Sequence, residues 1–150
     1  MRVVIQRVKK ATVIIDNKLF SEISQGLLIL LGIEEKDGSE DIEWLCKKIS
    51  LLRVFDDEFG TMNLSVQDIK GDLMVVSQFT LHASTKKGNR PSYIKAADPL
   101  ISIPLYEQFV ESLEQASGIK VKTGKFGAMM NVALFNDGPV TLIIDSKNKE

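Results

Sequence analysis

The sequence is poor in the residues on which metal and nucleophilic catalysis usually depend. Its 150 residues include one histidine, His82, and one cysteine, Cys46. Zinc sites in proteins mostly take several Cys and His ligands, so one chain cannot assemble the usual zinc set. A magnesium site made only of carboxylates stays open, although the acidic segment 34–43 has the pattern of a surface loop and a helix start. A lone cysteine excludes an intramolecular disulfide and is compatible with a reducing cytosol.

Long hydrophobic runs are also missing. The longest, GLLILLGI at residues 26–33, is far shorter than the ~18 residues of a membrane span. The N-terminal MRVVIQRVKK has three consecutive apolar residues between charges, unlike a secretory signal. With 44% hydrophobic and 26% charged residues, the chain has a globular composition. We expect one cytoplasmic domain over residues 1–150, with a disordered tail at about 146–150 and no membrane partner.

Charge is nearly balanced, at a formal net of −1, but it is unevenly distributed. No carboxylate lies between Asp72 and Asp98, where four cations occur: Lys86, Lys87, Arg90 and Lys95. Such segregation allows a local phosphate-binding surface on a near-neutral protein. From charge alone, a loop that is merely basic and solvated is an equally good interpretation.

Hydrophobic patterning predicts an α+β domain in which strands dominate. Residues 2–8 and 11–16 are expected to form an early hairpin around Lys9-Lys10. Residues 26–33 are apolar on both faces, which is typical of a central strand. Further strands are predicted at 19–24, 51–55, 72–81, 119–124, 128–135 and 139–145.

Two helices are predicted outside these strands. Ser39 is the expected cap of a helix over residues 40–50, and Gly118 the stop of a helix over about 100–117. Pro104 is awkward inside the second helix and is a candidate for its first residue. Cys46 falls in the apolar stripe of the first helix, which favours a core residue over a nucleophile.

The strongest strand ends in a polar cluster, Ser77-Gln78-Phe79-Thr80. In an extended strand Gln78 and Thr80 share one face, and unpaired they would cost about 1–3 kcal/mol each. Satisfied core residues are the ordinary explanation, but the cluster directly precedes the basic segment. A Ser77–His82 dyad is excluded, because five extended residues separate the two by roughly 16 Å.

A second unusual stretch is NVALFNDGPVTLIID at residues 131–145. It is a strand-like run interrupted by Asn136-Asp137-Gly138-Pro139. A tight turn is the simplest interpretation, since Asp-Gly and Gly-Pro both mark turns. The alternative is that the bare backbone at Gly138 and Pro139 has a function of its own.

Four motifs together resemble the D-aminoacyl-tRNA deacylase family. They are VSQFTL (76–81), KKGNRPS (86–92), TGKFGAMM (123–130) and NDGPVT (136–141), and the resemblance covers nearly the whole chain. Thr61 stands where the family commonly has lysine, and Tyr93 where phenylalanine is usual. The resemblance implies a β-rich, mostly antiparallel, barrel-like sheet core with two main helices packed outside.

The resemblance also implies a homodimeric hydrolase without metal or cofactor. Its substrate would be the ester between a D-amino acid and the 3′-terminal adenosine of tRNA. Ser77, Gln78, Phe79 and Thr80 would line the pocket for this ester, and the tRNA-binding candidates are Lys86, Lys87 and Arg90.

Two routes to hydrolysis stay open within this resemblance. Either Thr80 is the nucleophile, or it has no covalent role and the attacking group is a water assisted by the RNA 2′-hydroxyl, with the N–H groups near Phe79 and Thr80 stabilising the oxyanion. We favour the water route, because no base beside Thr80 is evident in the sequence.

Gly138 and Pro139 would form a cis peptide that reaches from one subunit into the other's pocket. This backbone would clash with an L-amino acid and leave the D direction open. Glycine has no Cβ, so glycyl-tRNA would also be hydrolysed.

Two other functions compete with this one. The first is a non-catalytic protein that binds the tRNA acceptor end through the same loop and cluster. The second is an esterase or amidase for free D-amino acid derivatives, which would not depend on the terminal ribose.

Overall fold

A bent sheet of six strands forms the centre of the molecule. The computed structural model describes residues 1–149 of the chain. The sheet order is β2 (Lys18–Ile23), β1 (Arg2–Ile15), β3 (Gly26–Gly32), β6 (Asp72–Ser77) and β7 (Val121–Thr123), and β8 (Asn131–Asp145) pairs with β1. Only β3–β6 and β6–β7 are parallel. A small hairpin of β4 (Phe55–Asp56) and β5 (Met62–Leu64) stands apart.

The sheet curls until its ends approach each other. The Ser21 hydroxyl of β2 donates to the Thr123 carbonyl of β7 at 2.7 Å. Seven buried side chains from β1, β2, β3 and β6 fill the enclosed side: Val8, Ala11, Val13, Ile23, Leu28, Met74 and Val76. The predicted barrel-like, mostly antiparallel core is confirmed.

Two helices pack on the other side of the sheet, as predicted. They are α1 (Ser39–Ser50) and α2 (Pro99–Ser117). Phe109 and Leu113 of α2 and Leu45 of α1 join the larger core cluster with β3 and β6. Over the described residues, neither helix is long and apolar enough to cross a membrane.

The helix ends differ in detail from prediction. Gly38, not Ser39, is the N-cap of α1, and its N–H donates to the Asp41 carboxylate at 2.9 Å. Asp98 caps α2 ahead of Pro99, so Pro104 lies inside the helix and not at its start. Gly118 ends the helix in the left-handed region, φ +68°, as predicted. Cys46 is buried in the core, which raises the pKa of its thiol to about 12.

Three strand predictions were wrong. Residues 2–15 form one continuous strand, so the first hairpin turns at Asp16-Asn17 and not at Lys9-Lys10. Residues 51–54 are irregular, because the chain there only crosses from α1 to β4. The strand expected over 72–81 ends at Ser77.

The tail expected to be disordered is held in place as far as it is described. The Ser146 N–H donates to the Met1 carbonyl at 2.9 Å, and the Lys147 ammonium pairs with Asp41 at 2.8 Å. Burial alone would raise the pKa of Asp41, but hydrogen bonds from Lys147, Ser146 and Gly38 lower it to about 2. Residue 150 lies outside the described residues.

Candidate active site

The polar cluster lies where β6 stops and the chain turns. The Gln78 N–H donates to the Leu31 carbonyl at 2.7 Å, which holds the chain beside β3 for one residue beyond the strand. A short 3₁₀ helix, Phe79–His82, follows at once. The cluster therefore occupies a strand end and a helical turn, not an extended strand.

The absence of a side chain at Gly32 lets this turn lie close to β3. A Cβ at Gly32 would lie 3.0 Å from the Leu81 Cβ and 3.1 Å from the Gln78 carbonyl oxygen. These separations are tighter than ordinary van der Waals contact, so a side chain there would push the turn away from β3. The glycine at the end of β3 thus helps to set the position of the cluster.

The turn changes how Gln78 and Thr80 meet. Residues on one face of a strand would lie side by side, but here the Gln78 amide donates directly to the Thr80 hydroxyl at 2.5 Å. Within residues 1–149, no histidine, lysine or carboxylate hydrogen bonds to that hydroxyl. The polar pair satisfies itself, and Thr80 has no base to activate it.

Main-chain donors are exposed at the same point. Within the described chain, the N–H groups of Phe79 and Thr80 are not used in any hydrogen bond, as is usual for the first turn of a helix. Donors of this kind are suited to an oxyanion.

A small cavity of about 70 Å³ opens beside the cluster. Ser77, Gln78 and Phe79 form one part of its lining, and Phe126 and Gly127 another; Leu31, Ile33, Ala97 and Ser102 complete it. Its lining is mostly apolar with a few polar side chains, a composition that ligand-binding sites share, although its volume is smaller than theirs.

A basic loop adjoins the cavity. Ser84 and Ser92 form an antiparallel bridge with hydrogen bonds of 2.8 and 2.9 Å, which closes residues 85–91 into a loop. The adjacent Tyr93 packs edge-to-face on Phe79, with ring centroids 5.1 Å apart. Phe79 also lines the cavity and is 56% exposed, so this ring pair connects the basic loop to the cavity mouth.

The three predicted RNA-binding cations lie on this basic loop. Lys86, Lys87 and Arg90 are all exposed. In the part of the chain that the structure describes, none of the three is paired with a carboxylate. Their charges are therefore available to an anionic ligand.

The Gly-Pro stretch is a bulge within β8, and not the tight turn that its residues suggest. Val8 of β1 pairs with Asn136 and Gln6 with Thr141, so residues 137–140 all stand opposite Arg7. The Gly138–Pro139 peptide is cis, and Gly138 has φ +119°. Both residues are exposed, so the bulge presents main chain to the outside of the sheet.

Arg7 holds the bulge from beneath. Its guanidinium donates to the Asp137 carbonyl at 3.0 Å, to the Val54 carbonyl at 2.7 Å and to the Asp56 carboxylate at 3.3 Å. Arg7 is only 6% exposed. One buried cation thus joins the bulge to the β4–β5 hairpin.

The bulge and the cavity are far apart within one chain. From Gly138 to Ser77 there are three inter-strand spacings and about four residues along the strands, or roughly 20 Å. Neither Gly138 nor Pro139 lines the cavity. A single subunit does not bring the two predicted parts of the site together.

The described residues form neither a Ser–His dyad nor a metal site. The buried His82 has an unpartnered Nε2 and, within residues 1–149, no hydrogen bond to Ser77 or Thr80. The same residues contain no group of three or more His, Cys, Asp or Glu side chains placed to hold a metal ion.

Sequence reasoning missed Arg7, Phe126 and Gly127. Arg7 is an unremarkable cation in a strand, and its contact with Asp137 spans 130 positions. The TGKFGAMM motif was the available signal for Phe126 and Gly127, because they line the cavity from a loop with no secondary structure.

Known proteins match the chain along nearly its whole length. The family model described as D-Tyr-tRNA(Tyr) deacylase matches residues 4–145. A D-aminoacyl-tRNA deacylase from Bacteroides fragilis is 66% identical over all 150 residues, and one from Flavobacterium psychrophilum is 64% identical, each covering 100% of both chains.

Two solved structures share the fold. The c-Myc DNA Unwinding Element Binding Protein is 38% identical with a TM-score of 0.91, covering 97% of this chain and 98% of that one. A probable eukaryotic D-amino acid tRNA deacylase has a TM-score of 0.81 at 16% identity, covering 95% and 97%. Matched along almost its whole length, the chain belongs to the D-Tyr-tRNA(Tyr) deacylase family.

Proposed function

We propose that the protein hydrolyses the ester between a D-amino acid and the 3′-terminal adenosine of tRNA, releasing the free D-amino acid and intact tRNA. The main support is 66% identity over the full length to a D-aminoacyl-tRNA deacylase. The cavity beside the Ser77–Thr80 cluster supplies a site of suitable chemistry. We assign the activity to the cytoplasm, with no metal ion or cofactor.

In this proposal a water molecule attacks the ester carbonyl, and the 2′-hydroxyl of the terminal ribose accepts the water's proton and passes its own to the 3′-oxygen as the ester bond breaks. The free N–H groups of Phe79 and Thr80 stabilise the oxyanion, and Thr80, which does not itself line the cavity, accepts the hydrogen bond that holds the side chain of the lining residue Gln78. Thr80 positions groups but forms no covalent intermediate, since nothing in the described chain would take its proton.

Replacing Thr80 with alanine tests this role. We expect kcat for D-aminoacyl-tRNA to fall by about tenfold or less, because the main-chain donors remain; removing an oxyanion donor itself costs about 10²–10³. Single-turnover kinetics measure the effect. A fall to the uncatalysed rate, with the protein folded, would make Thr80 the nucleophile.

Chiral selection in this proposal depends on shape. D and L substrates bury the same groups, so transfer free energy does not distinguish them. A fixed main-chain surface at Gly138-Pro139 obstructs the L side chain, and overpacking costs about 1–3 kcal/mol or more. Because the bulge lies roughly 20 Å from its own cavity, it would act on the cavity of a second subunit.

Several features of β8 support a homodimer. Phe135 and Ile143 are each 71% exposed and lie close to the bulge along the strand. Within residues 1–149, β8 pairs only with β1, so its other edge is unpaired over a 15-residue strand. Exposed apolar side chains and a long free edge both favour association with another chain.

The basic loop would hold the acceptor end of the tRNA. Lys86, Lys87 and Arg90 are unpaired cations on a loop that contacts the cavity mouth through Tyr93 and Phe79. Phosphate contacts of this type position a nucleic acid without reading its sequence.

One assay tests the function directly. Matched D-, L- and glycyl-tRNA are incubated with purified protein in EDTA, and the remaining ester is counted. We expect the D and glycyl esters to be hydrolysed and the L ester to be spared. Loss of all turnover in EDTA would contradict a metal-free mechanism, and sparing of glycyl-tRNA would contradict rejection by clash.

The same assay separates the two competing functions. Binding of tRNA without turnover would identify a non-catalytic protein. Equal hydrolysis of tRNA ending in 2′-deoxyadenosine and of simple D-amino acid esters would identify a general esterase.

A further inference from the structure

The cavity has a second wall, which is formed by a turn after β7. The Ala128 N–H donates to the Lys125 carbonyl at 3.1 Å, and Gly127 has φ +74°. Inside this turn, Phe126 and Gly127 line the cavity together with Ser77–Phe79. The turn therefore belongs to the proposed site, although it lies about 45 residues beyond the polar cluster in the sequence.

The turn is firmly anchored. The Phe126 ring packs edge-to-face on Tyr106 of α2, with centroids 5.8 Å apart. The Tyr106 hydroxyl donates in turn to the Val75 carbonyl of β6 at 2.8 Å, and Tyr106 is buried. Side chains of this turn are thus presented from a fixed position next to the cavity.

Lys125 is an exposed cation that directly precedes Phe126 of this wall. Some other lysines of the chain are paired with a nearby carboxylate: Lys120 with Glu114, Lys147 with Asp41 and Lys10 with Glu22. Within residues 1–149, no carboxylate lies within ion-pair distance of Lys125. Its charge is as available as those of the basic loop.

Unpaired cations thus adjoin the cavity lining in two separate chain segments: the basic loop leads to Tyr93, which packs on Phe79, and Lys125 directly precedes Phe126. A single bound anion would need only one of them. A polyanion that crosses the cavity mouth would use both, and the strand preceding the terminal adenosine of tRNA is such a polyanion.

We propose that Lys125 binds a backbone phosphate of the single-stranded acceptor end of tRNA, as a second contact independent of the basic loop. This inference depends on the proposed function, since it concerns the same substrate at the same cavity. The contact adds affinity for RNA and plays no part in the chemistry of the ester.

The test is the salt dependence of Lys125→Gln. Each phosphate contact to a single strand contributes about −0.7 to the slope of log affinity against log salt. We expect the slope for kcat/KM on D-aminoacyl-tRNA to become shallower by about that amount. The advantage of the parent over the variant should then shrink about 2.6-fold between 50 and 200 mM salt.

Two further variants serve as comparisons for Lys125→Gln. Lys87→Gln, on the basic loop, should change the slope by a similar amount. Lys47→Gln removes an exposed lysine of helix α1, no described residue of which lines the cavity, and it should leave the slope unchanged.

A minimal substrate isolates the phosphate. The D-aminoacyl ester of adenosine alone carries no backbone phosphate, so Lys125→Gln and the parent should hydrolyse it at the same rate. An unchanged slope on tRNA, or an equal loss on the adenosine ester, would overturn the proposal.

A failure of the proposed function can be distinguished from a failure of this inference. If the parent does not hydrolyse D-aminoacyl-tRNA, the function is wrong, but the Lys125 contact is still measurable by fluorescence anisotropy. The probe is an acceptor-stem hairpin with a D-amino acid amide-linked at its 3′ end. A parental binding slope for Lys125→Gln in that measurement also overturns the contact.

Discussion

Gly138→Ala should lose most of its activity on D-aminoacyl-tRNA, with kcat/KM falling about 10²-fold. A misplacement of about 1 Å in a positioning element is enough for such an effect. A Cβ at Gly138 would lie 2.7 Å from the Arg7 Nη2, and φ +119° is a conformation that L side chains rarely adopt. Either the bulge or Arg7 must therefore move.

The matched control is Gly118→Ala, at the end of helix α2. Gly118 also has a positive φ, +68°, but a Cβ there would meet nothing within 4 Å. It reproduces backbone strain, which costs of order 1–3 kcal/mol, without the clash. Deacylation is measured with D-, L- and glycyl-tRNA, and stability by urea unfolding.

Two outcomes would contradict the prediction for Gly138→Ala. Parental activity in Gly138→Ala, with both glycine variants equally destabilised, would show that the position of the bulge does not matter to the reaction. Loss of activity in Gly118→Ala as well would show that general destabilisation is responsible.

Mixing two inactive variants should restore activity. Gly138→Ala has an intact cavity and a displaced bulge, whereas Ala97→Phe has an intact bulge and a cavity filled by its own ring. If each site combines the cavity of one subunit with the bulge of the other, a mixed dimer contains one complete site. Random reassociation of equal amounts would recover about a quarter of parental activity in a two-fold symmetric dimer.

The mixing experiment requires exchange of subunits. Co-expression with two different affinity tags yields the mixed dimer directly, and sedimentation equilibrium gives its mass. Each variant mixed with the parent is the control, and each such mixture should keep about half of the parental activity, since a dimer with one altered subunit retains one complete site. No recovery in a purified mixed dimer would confine the site to one chain, and a monomeric parent would exclude the arrangement.

Local pattern predicted most of the framework. The apolar runs at residues 26–33 and 72–77 became central strands because their side chains are buried on both faces. Gly118 stopped α2 because it adopts the left-handed conformation that favours glycine. Both are decided by a few neighbouring residues, which a sequence displays directly.

The geometry of the site depends on contacts between distant residues. The residues SQFTL do not by themselves predict that the strand ends at Ser77. The end depends on the Gln78–Leu31 hydrogen bond and on the space left by the missing side chain of Gly32. The bulge likewise depends on Arg7, 130 positions away. Likeness to a family identified Gly138 and Pro139, but not the side chain that supports them.

The guanidinium of Arg7 ties the bulge to a hairpin none of whose described residues lines the cavity. Substitutions among the groups that support the bulge would change its position without altering the main-chain surface itself. Asp56 and the carbonyl of Val54 are two of those groups. Variation in a peripheral hairpin would then adjust which mirror image the enzyme tolerates, far from any atom that meets the substrate.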